Sequence, residues 1–207
     1  MRAIFVLLIL MKKTKNKKKM KTAEMNVEET TKVKWAVDPA HSEIGFKVKH
    51  LMISNVKGVF KEFDASIYTT GEDFLTSEID FWINSASIDT GDEKRDGHLK
   101  SADFFDADSF KEISFIGNTI EKVDNDGSFT LYGDLTMKGI KKQVKLDVEF
   151  GGVMKDPWGN EKAGFTINGK INRKDWGLNW NAALEAGGML VSDEVRISCE
   201  LQLSKQS

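Results

Sequence analysis

The sequence predicts an all-β protein, an extended antiparallel barrel of eight strands with one short helical insertion. Three observations carry this. Five stretches alternate apolar and polar residues, turn-forming residues separate them, and the only two prolines, Pro39 and Pro157, fall outside them.

The alternation is cleanest at the C-terminus, where Val195, Ile197, Cys199, Leu201 and Leu203 share one parity and Glu194, Arg196, Ser198, Glu200 and Gln202 the other. A strand buried on one face reads this way. The same rhythm runs through Ile44/Phe46/Val48, Ile79/Phe81/Ile83, Phe129/Leu131/Leu135/Met137 and Val144/Leu146/Val148/Phe150. In chain order, strands are expected near 33–37, 42–53, 56–68, 77–84, 112–121, 128–138, 141–151, 163–172 and 194–204. Asp124-Asn125-Asp126-Gly127, Gly139 and the loop from Gly151 to Lys162 supply turns between neighbours.

Two insertions interrupt the meander. Thr90-Gly91-Asp92-Glu93 has capping-box spacing and predicts a short helix over Lys94 to Ser101 despite Gly97. Asp175 to Asp193 is irregular and carries Trp176, Trp180, Leu184 and two adjacent glycines. Both are expected to act as lids. A meander of about eight strands must expose its edges or close on itself, and closure gives a barrel. Strands of 10 to 12 residues make a wall roughly 35 Å tall at about 3.3 Å per residue.

Composition bounds the rest. Apolar residues make up 40% of the chain, sufficient for one core. The expected organisation is a basic segment over 1–32, read as a disordered leader or tail, and one ligand-binding barrel over 33–207. Residues 1–34 hold ten Lys/Arg against three Asp/Glu, while the remainder is acidic. An acidic body without a basic face argues against a nucleic-acid partner. Cys199 lies on the apolar parity of its strand and reads as a small core residue.

Ala3 to Met11 has the length of a signal-peptide apolar region, but a lysine-rich block from Lys12 to Lys21 follows where a cleavage site belongs. The expectation is a cytoplasmic protein, with export to the periplasm as the alternative. Met11, Met20 and Met25 are alternative starts. Contact of this apolar and polybasic segment with an anionic membrane surface is a further reading.

Several blocks together resemble the YceI-like lipid- and polyisoprenoid-binding family. They are Trp35-Ala36-Val37-Asp38-Pro39-Ala40-His41-Ser42 running on to His50, Val56-Lys57-Gly58-Val59-Phe60, and Arg95-Asp96-Gly97-His98-Leu99 running on to Asp106. Ile113-Ser114-Phe115, Tyr132-Gly133-Asp134-Leu135 running on to Gly139, Asn172-Arg173-Lys174-Asp175-Trp176-Gly177 and Val191-Ser192-Asp193-Glu194-Val195 follow in family order. The resemblance implies a lipocalin-like barrel that holds one long amphiphile, an isoprenoid quinone or polyprenyl chain, in an apolar tunnel. Many members of the family look exported, and the leader here departs from that pattern.

The expected tunnel wall is Phe46, Val48, Phe60, Phe81, Phe115, Phe129, Leu131, Leu135 and Phe165. His50 shares the parity of Ile44, Phe46 and Val48; its imidazole serves either a ligand carbonyl or a neighbouring backbone carbonyl. Arg95 and His98 fall on the expected lid helix, and Arg173 follows the strand that leads into the second insertion. They either pin the lids to the rim or meet a carbonyl or phosphate head.

Neither a nucleophile elbow nor a phosphate loop is present, and Ser42 beside His41 points to the opposite face of its strand. Together with the family resemblance, which alone implies the isoprenoid-type lipid, the reading is non-enzymatic binding, carriage or sequestration with no other cofactor. Self-association as a homodimer is allowed for. Two alternatives stand beside it: a metal-assisted hydrolase or isomerase using His41, His50 and His98, and a barrel filled by its own side chains serving as a stress-related interaction module.

Overall fold

The computed structural model describes residues 31–184 and 188–206. The expectations for the apolar and lysine-rich N-terminal segment lie outside the described residues. The strands in chain order are β1 (Lys32–Val37), β2 (Glu43–His50), β3 (Ser54–Phe60), β4 (Phe63–Thr70), β5 (Asp73–Asn84) and β6 (Ile88–Asp89). After the helix α1 (Glu93–Lys100) come β7 (Glu112–Lys122), β8 (Ser128–Met137), β9 (Ile140–Lys155), β10 (Glu161–Asn172) and β11 (Val191–Lys205).

These strands make a closed antiparallel barrel of eight staves, because two staves are each built from two strands and the two-residue β6 only flanks β3. β1 and β2 are separated by a 3-10 turn at Pro39–His41, and β3 and β4 by Lys61 and Glu62. β11 closes the barrel by pairing with β2 over Val191 to Glu200 and with β1 at Leu203 to Lys205. The remaining ladder runs β1-β4-β5-β7-β8-β9-β10-β11.

β5 begins at Asp73 and β11 at Val191, both earlier than expected, and β9 runs on to Lys155 through part of the expected loop from Gly151; three further differences have a local reason. The stretch 56–68 is broken because Lys61 N donates to Ser87 O and Glu62 O accepts from Asn84 N. Ser87 of the insertion and Asn84 at the end of β5 thus take up hydrogen bonds at the break. The stretch 42–53 ends at His50, where Leu51 and Met52 turn the chain with φ of 52° and 61°; no Gly, Asn or Asp marks that turn. The helix is capped by Asp92, whose carboxylate accepts from Arg95 N, not by Thr90. Thr90 Oγ1 is instead held by Asp96 and Arg95.

One end of the barrel is plugged. Trp35 is 1% exposed and gives its indole N–H to Thr69 Oγ1 at 3.1 Å. Its ring meets Phe74 at 4.9 Å, and Phe74, Phe150 and Phe165 lie mutually 5.1–5.2 Å apart. Tilted and edge-on rings at these separations pack well. The other end gathers the β2–β3 turn, the segment between β5 and β7, and the segment between β10 and β11.

Candidate lipid-binding cavity

Inward parity along eight staves leaves an interior that the side chains do not fill. A cavity of about 420 Å³ runs from Phe74 and Phe165 at the plugged end to Leu178, Trp180 and Leu190 beneath the insertions. That volume is within the range of small-molecule sites. Its wall is hydrocarbon and aromatic, and the side chains that break this character are His50, Ser77, Arg95, Arg173 and Cys199.

Phe46, Val48, His50, Phe60, Phe81, Phe115, Phe129, Leu131, Leu135 and Phe165 all line the cavity, as do Arg95 and Arg173. Two glycines make room for the larger rings. A Cβ on Gly58 would meet the Phe46 ring at 2.4 Å, and one on Gly133 the Phe115 ring at 2.3 Å. His98 is elsewhere. Its ring packs edge-on against Trp180 at 4.7 Å and Phe104 at 5.1 Å, and Nε2 lies 3.1 Å from Asp103. It joins the two lids and is not among the wall residues, the arrangement expected of the lid-pinning reading.

The lids add wall residues that strand periodicity did not indicate: Leu99, Phe104 and Phe105 from the first insertion, and Leu178, Trp180 and Leu190 from the second. The adjacent phenylalanines 104 and 105 were the available signal. The second lid is anchored by Trp176, 2% exposed, whose indole donates to Leu135 O at 3.0 Å.

Arg173 begins the 3-10 turn Arg173–Trp176, started by Asn172 and ended by Gly177 at φ 74°. It is 3% exposed, buried beneath the second lid at the lid end of the barrel. Nε donates to Ser192 O at 3.0 Å, and Nη1 to Trp180 O at 2.9 Å and to Leu178 O. Nη2 lies 3.5 Å from the Asp193 carboxylate but is buried without a hydrogen-bond partner among the described residues. Burial lowers the guanidinium pKa, and Asp193 pulls the other way. A buried donor left unspent is costly, so such a group is suited to an incoming acceptor.

Arg95 spends Nε and Nη2 on Thr90, at 2.6 and 2.9 Å, and so ties α1 to the chain just before it. The half-buried His50 ring has no hydrogen-bond partner among the described residues, its carbonyl alone accepting from Ile53 N and Ser54 Oγ. Burial pushes the Cys199 thiol up to about 11, which keeps it in the unreactive thiol form at neutral pH.

The alternative metal centre is not assembled. His41 pairs with Asp38 at 3.1 Å, His98 with Asp103, and no group of three or more His, Cys, Asp or Glu with metal-binding geometry occurs among the described residues.

The YceI-like domain matches residues 35–203. A UPF0312 protein of Staphylococcus aureus is 40% identical over 168 residues, covering 81% of this chain and 95% of its own length. The crystal structure of a Campylobacter jejuni YceI protein is 37% identical with a TM-score of 0.67, covering 82% of this chain and 96% of that one. A polyisoprenoid-binding domain from Saccharophagus degradans, implicated in plant cell wall breakdown, shares the fold at 15% identity and a TM-score of 0.60, over 84% and 99% of the two chains. A barrel of this topology, a domain match spanning nearly all of it and relatives of matching length have one reading: the chain belongs to the YceI-like family.

Proposed function

We propose that the barrel binds one long-chain amphiphile, an isoprenoid quinone or polyprenyl lipid, and carries or sequesters it without chemical change. The observation that carries this reading is the cavity of about 420 Å³ with an almost wholly hydrocarbon wall, met at the lid end by a buried, unspent Arg173 N–H. Each methylene moved from water into such a wall is worth roughly 0.8 kcal/mol. A ten-carbon tail therefore gains about 8 kcal/mol before ordering costs are subtracted. In this reading the tail lies toward the aromatic floor at Phe74 and Phe165 and the head near the lids, a direction supported by the buried Arg173 N–H at the lid end. The Saccharophagus domain, described as polyisoprenoid-binding, supports this ligand class.

Organic extraction of the purified protein followed by mass spectrometry tests the proposal. A stoichiometric long-chain lipid is the expected result. Absence of any apolar guest, together with no uptake of an added polyprenyl lipid, overturns it.

A further inference from the structure

The β2–β3 turn is built against the preferences of its residues. Leu51 and Met52 sit at its centre with positive φ, where glycine or asparagine is the usual occupant and an aliphatic side chain is strained. The turn holds Leu51, Met52 and Ile53 outward, at 38%, 61% and 82% exposure. Three consecutive apolar side chains on a turn tip form an apolar finger, where a tip adapted only to water would be polar. The finger belongs to the lid end of the cavity. Leu51 N donates to Leu190 O at 2.8 Å, Leu190 lines the cavity, and the exposed Met189 extends the same rim.

Behind the finger, the outer face of the sheet carries a row of cations. Lys170, Arg196, Lys47 and Lys57 are successive cross-strand partners on β10, β11, β2 and β3, all exposed. Like charges set opposite one another destabilise a sheet. Of the four, only Arg196 has an acidic partner among the described residues, Glu194 at 3.3 Å. Four residues further from the tip the charge reverses, where Glu200 faces Glu43. On β2 and β11 the charge thus changes from Lys47 and Arg196 nearer the finger to Glu43 and Glu200 farther away, with Glu194 paired to Arg196 on the finger side.

We propose that the finger and the cation row dock this protein on an anionic lipid bilayer, with the lid end of the cavity turned toward the membrane. The inference rests on the lipid-binding reading of the cavity. The geometry matches: Lys47 stands about four residues, roughly 13 Å, behind the tip. An apolar tip inserted to the acyl boundary then leaves the row just outside the headgroup layer, from which the long lysine and arginine side chains reach the lipid phosphates. A three-residue tip is too small for a stable protein interface, whereas cations spread across four strands suit a broad anionic plane.

Flotation of the full chain with phosphatidylcholine vesicles, with and without phosphatidylserine, tests this. Uptake of a polyprenyl lipid from detergent micelles is measured on the same samples. Binding to the phosphatidylserine vesicles is expected to fall at least tenfold in Met52→Ser/Ile53→Ser. Each of Lys47→Gln and Lys57→Gln should lower it by roughly fivefold, less so at high salt. Micellar uptake stays unchanged in all three variants, while uptake from vesicles slows.

Vesicle binding that all three variants retain places membrane contact elsewhere, including the basic N-terminal segment, and overturns the proposal. A dimer that Met52→Ser/Ile53→Ser dissociates, with no vesicle binding by the native chain, overturns it in favour of a second copy on the finger. Failure of the native chain to take up lipid from micelles removes the cavity reading, whatever the vesicles show.

Discussion

His98 of α1 and Trp180 of the second insertion meet edge-on, with ring centroids 4.7 Å apart. The two lids come from chain segments separated by four long strands, and this contact makes them one cover. Trp180 also lines the cavity and touches Phe104, so the latch and the roof share a side chain.

Loosening that latch is expected to change kinetics more than affinity. His98→Ala should cost about 1 kcal/mol of stability, in line with an aromatic pair, and accelerate lipid release several-fold. Stopped-flow transfer to acceptor vesicles measures it. An unchanged release rate would show that the lids are not the gate.

Filling the cavity should abolish binding while sparing the fold. Leu131 is buried in the wall, and Leu131→Trp places its added volume in the cavity. The expected cost is below the roughly 1–3 kcal/mol typical of overpacking a filled core, with lipid uptake reduced at least tenfold. A collapse in thermal stability without any lipid ever recovered would support the alternative of a barrel packed by its own side chains.

Arg173 should distinguish ligands by their heads. Arg173→Met removes three hydrogen bonds to backbone carbonyls and is expected to destabilise by about 2–4 kcal/mol. Affinity for a lipid bearing a carbonyl or phosphate should drop further than affinity for a hydrocarbon of equal length. Titration with both ligands at a temperature where the variant is folded reads the difference. Equal losses would make Arg173 a lid anchor alone.

Acid should unpick the join between β1, β10 and β11. Asp38 is desolvated by burial, which would raise its pKa, but hydrogen bonds from His41, Lys162 and Gln202 overcome this and hold it at about 2. A depressed carboxylate pKa contributes stability above the unfolded value of 3.8 that is lost as pH falls toward about 2. Asp38→Asn should therefore be less stable at neutral pH, by on the order of 1 kcal/mol after solvent screening. The gap to the native protein closes by about pH 2. A constant gap across chemical denaturation at successive pH values would contradict this.

Cys199 should resist alkylation in the folded protein. Its thiol is buried and its pKa raised to about 11, so iodoacetamide at neutral pH should modify it only after denaturation. Rapid modification of the native chain would mean the wall around β11 opens readily.

The barrel and its wall were legible because strand parity is local. Once Phe46, Val48, Phe129, Leu131 and Leu135 share a face with their neighbours, only closure of the sheet is needed to bring them together. The capping residue of α1 was misassigned because Thr90 and Asp92 are both good caps, and contacts with Asp96 and Arg95 decide between them. His98 and Arg173 could not be placed from sequence, since insertions lack a period that fixes which way a side chain points. The turn at Leu51 and Met52 was invisible for a related reason: its residues favour extended backbone, and pairing of β3 with β2 and the bond from Leu51 to Leu190 enforce the reversal. The sequence alone determined which faces of the strands are apolar, through local stereochemistry. Tertiary structure decided where the barrel is plugged, how its lids meet and which guanidinium is buried, because those follow from contacts between segments far apart in the chain.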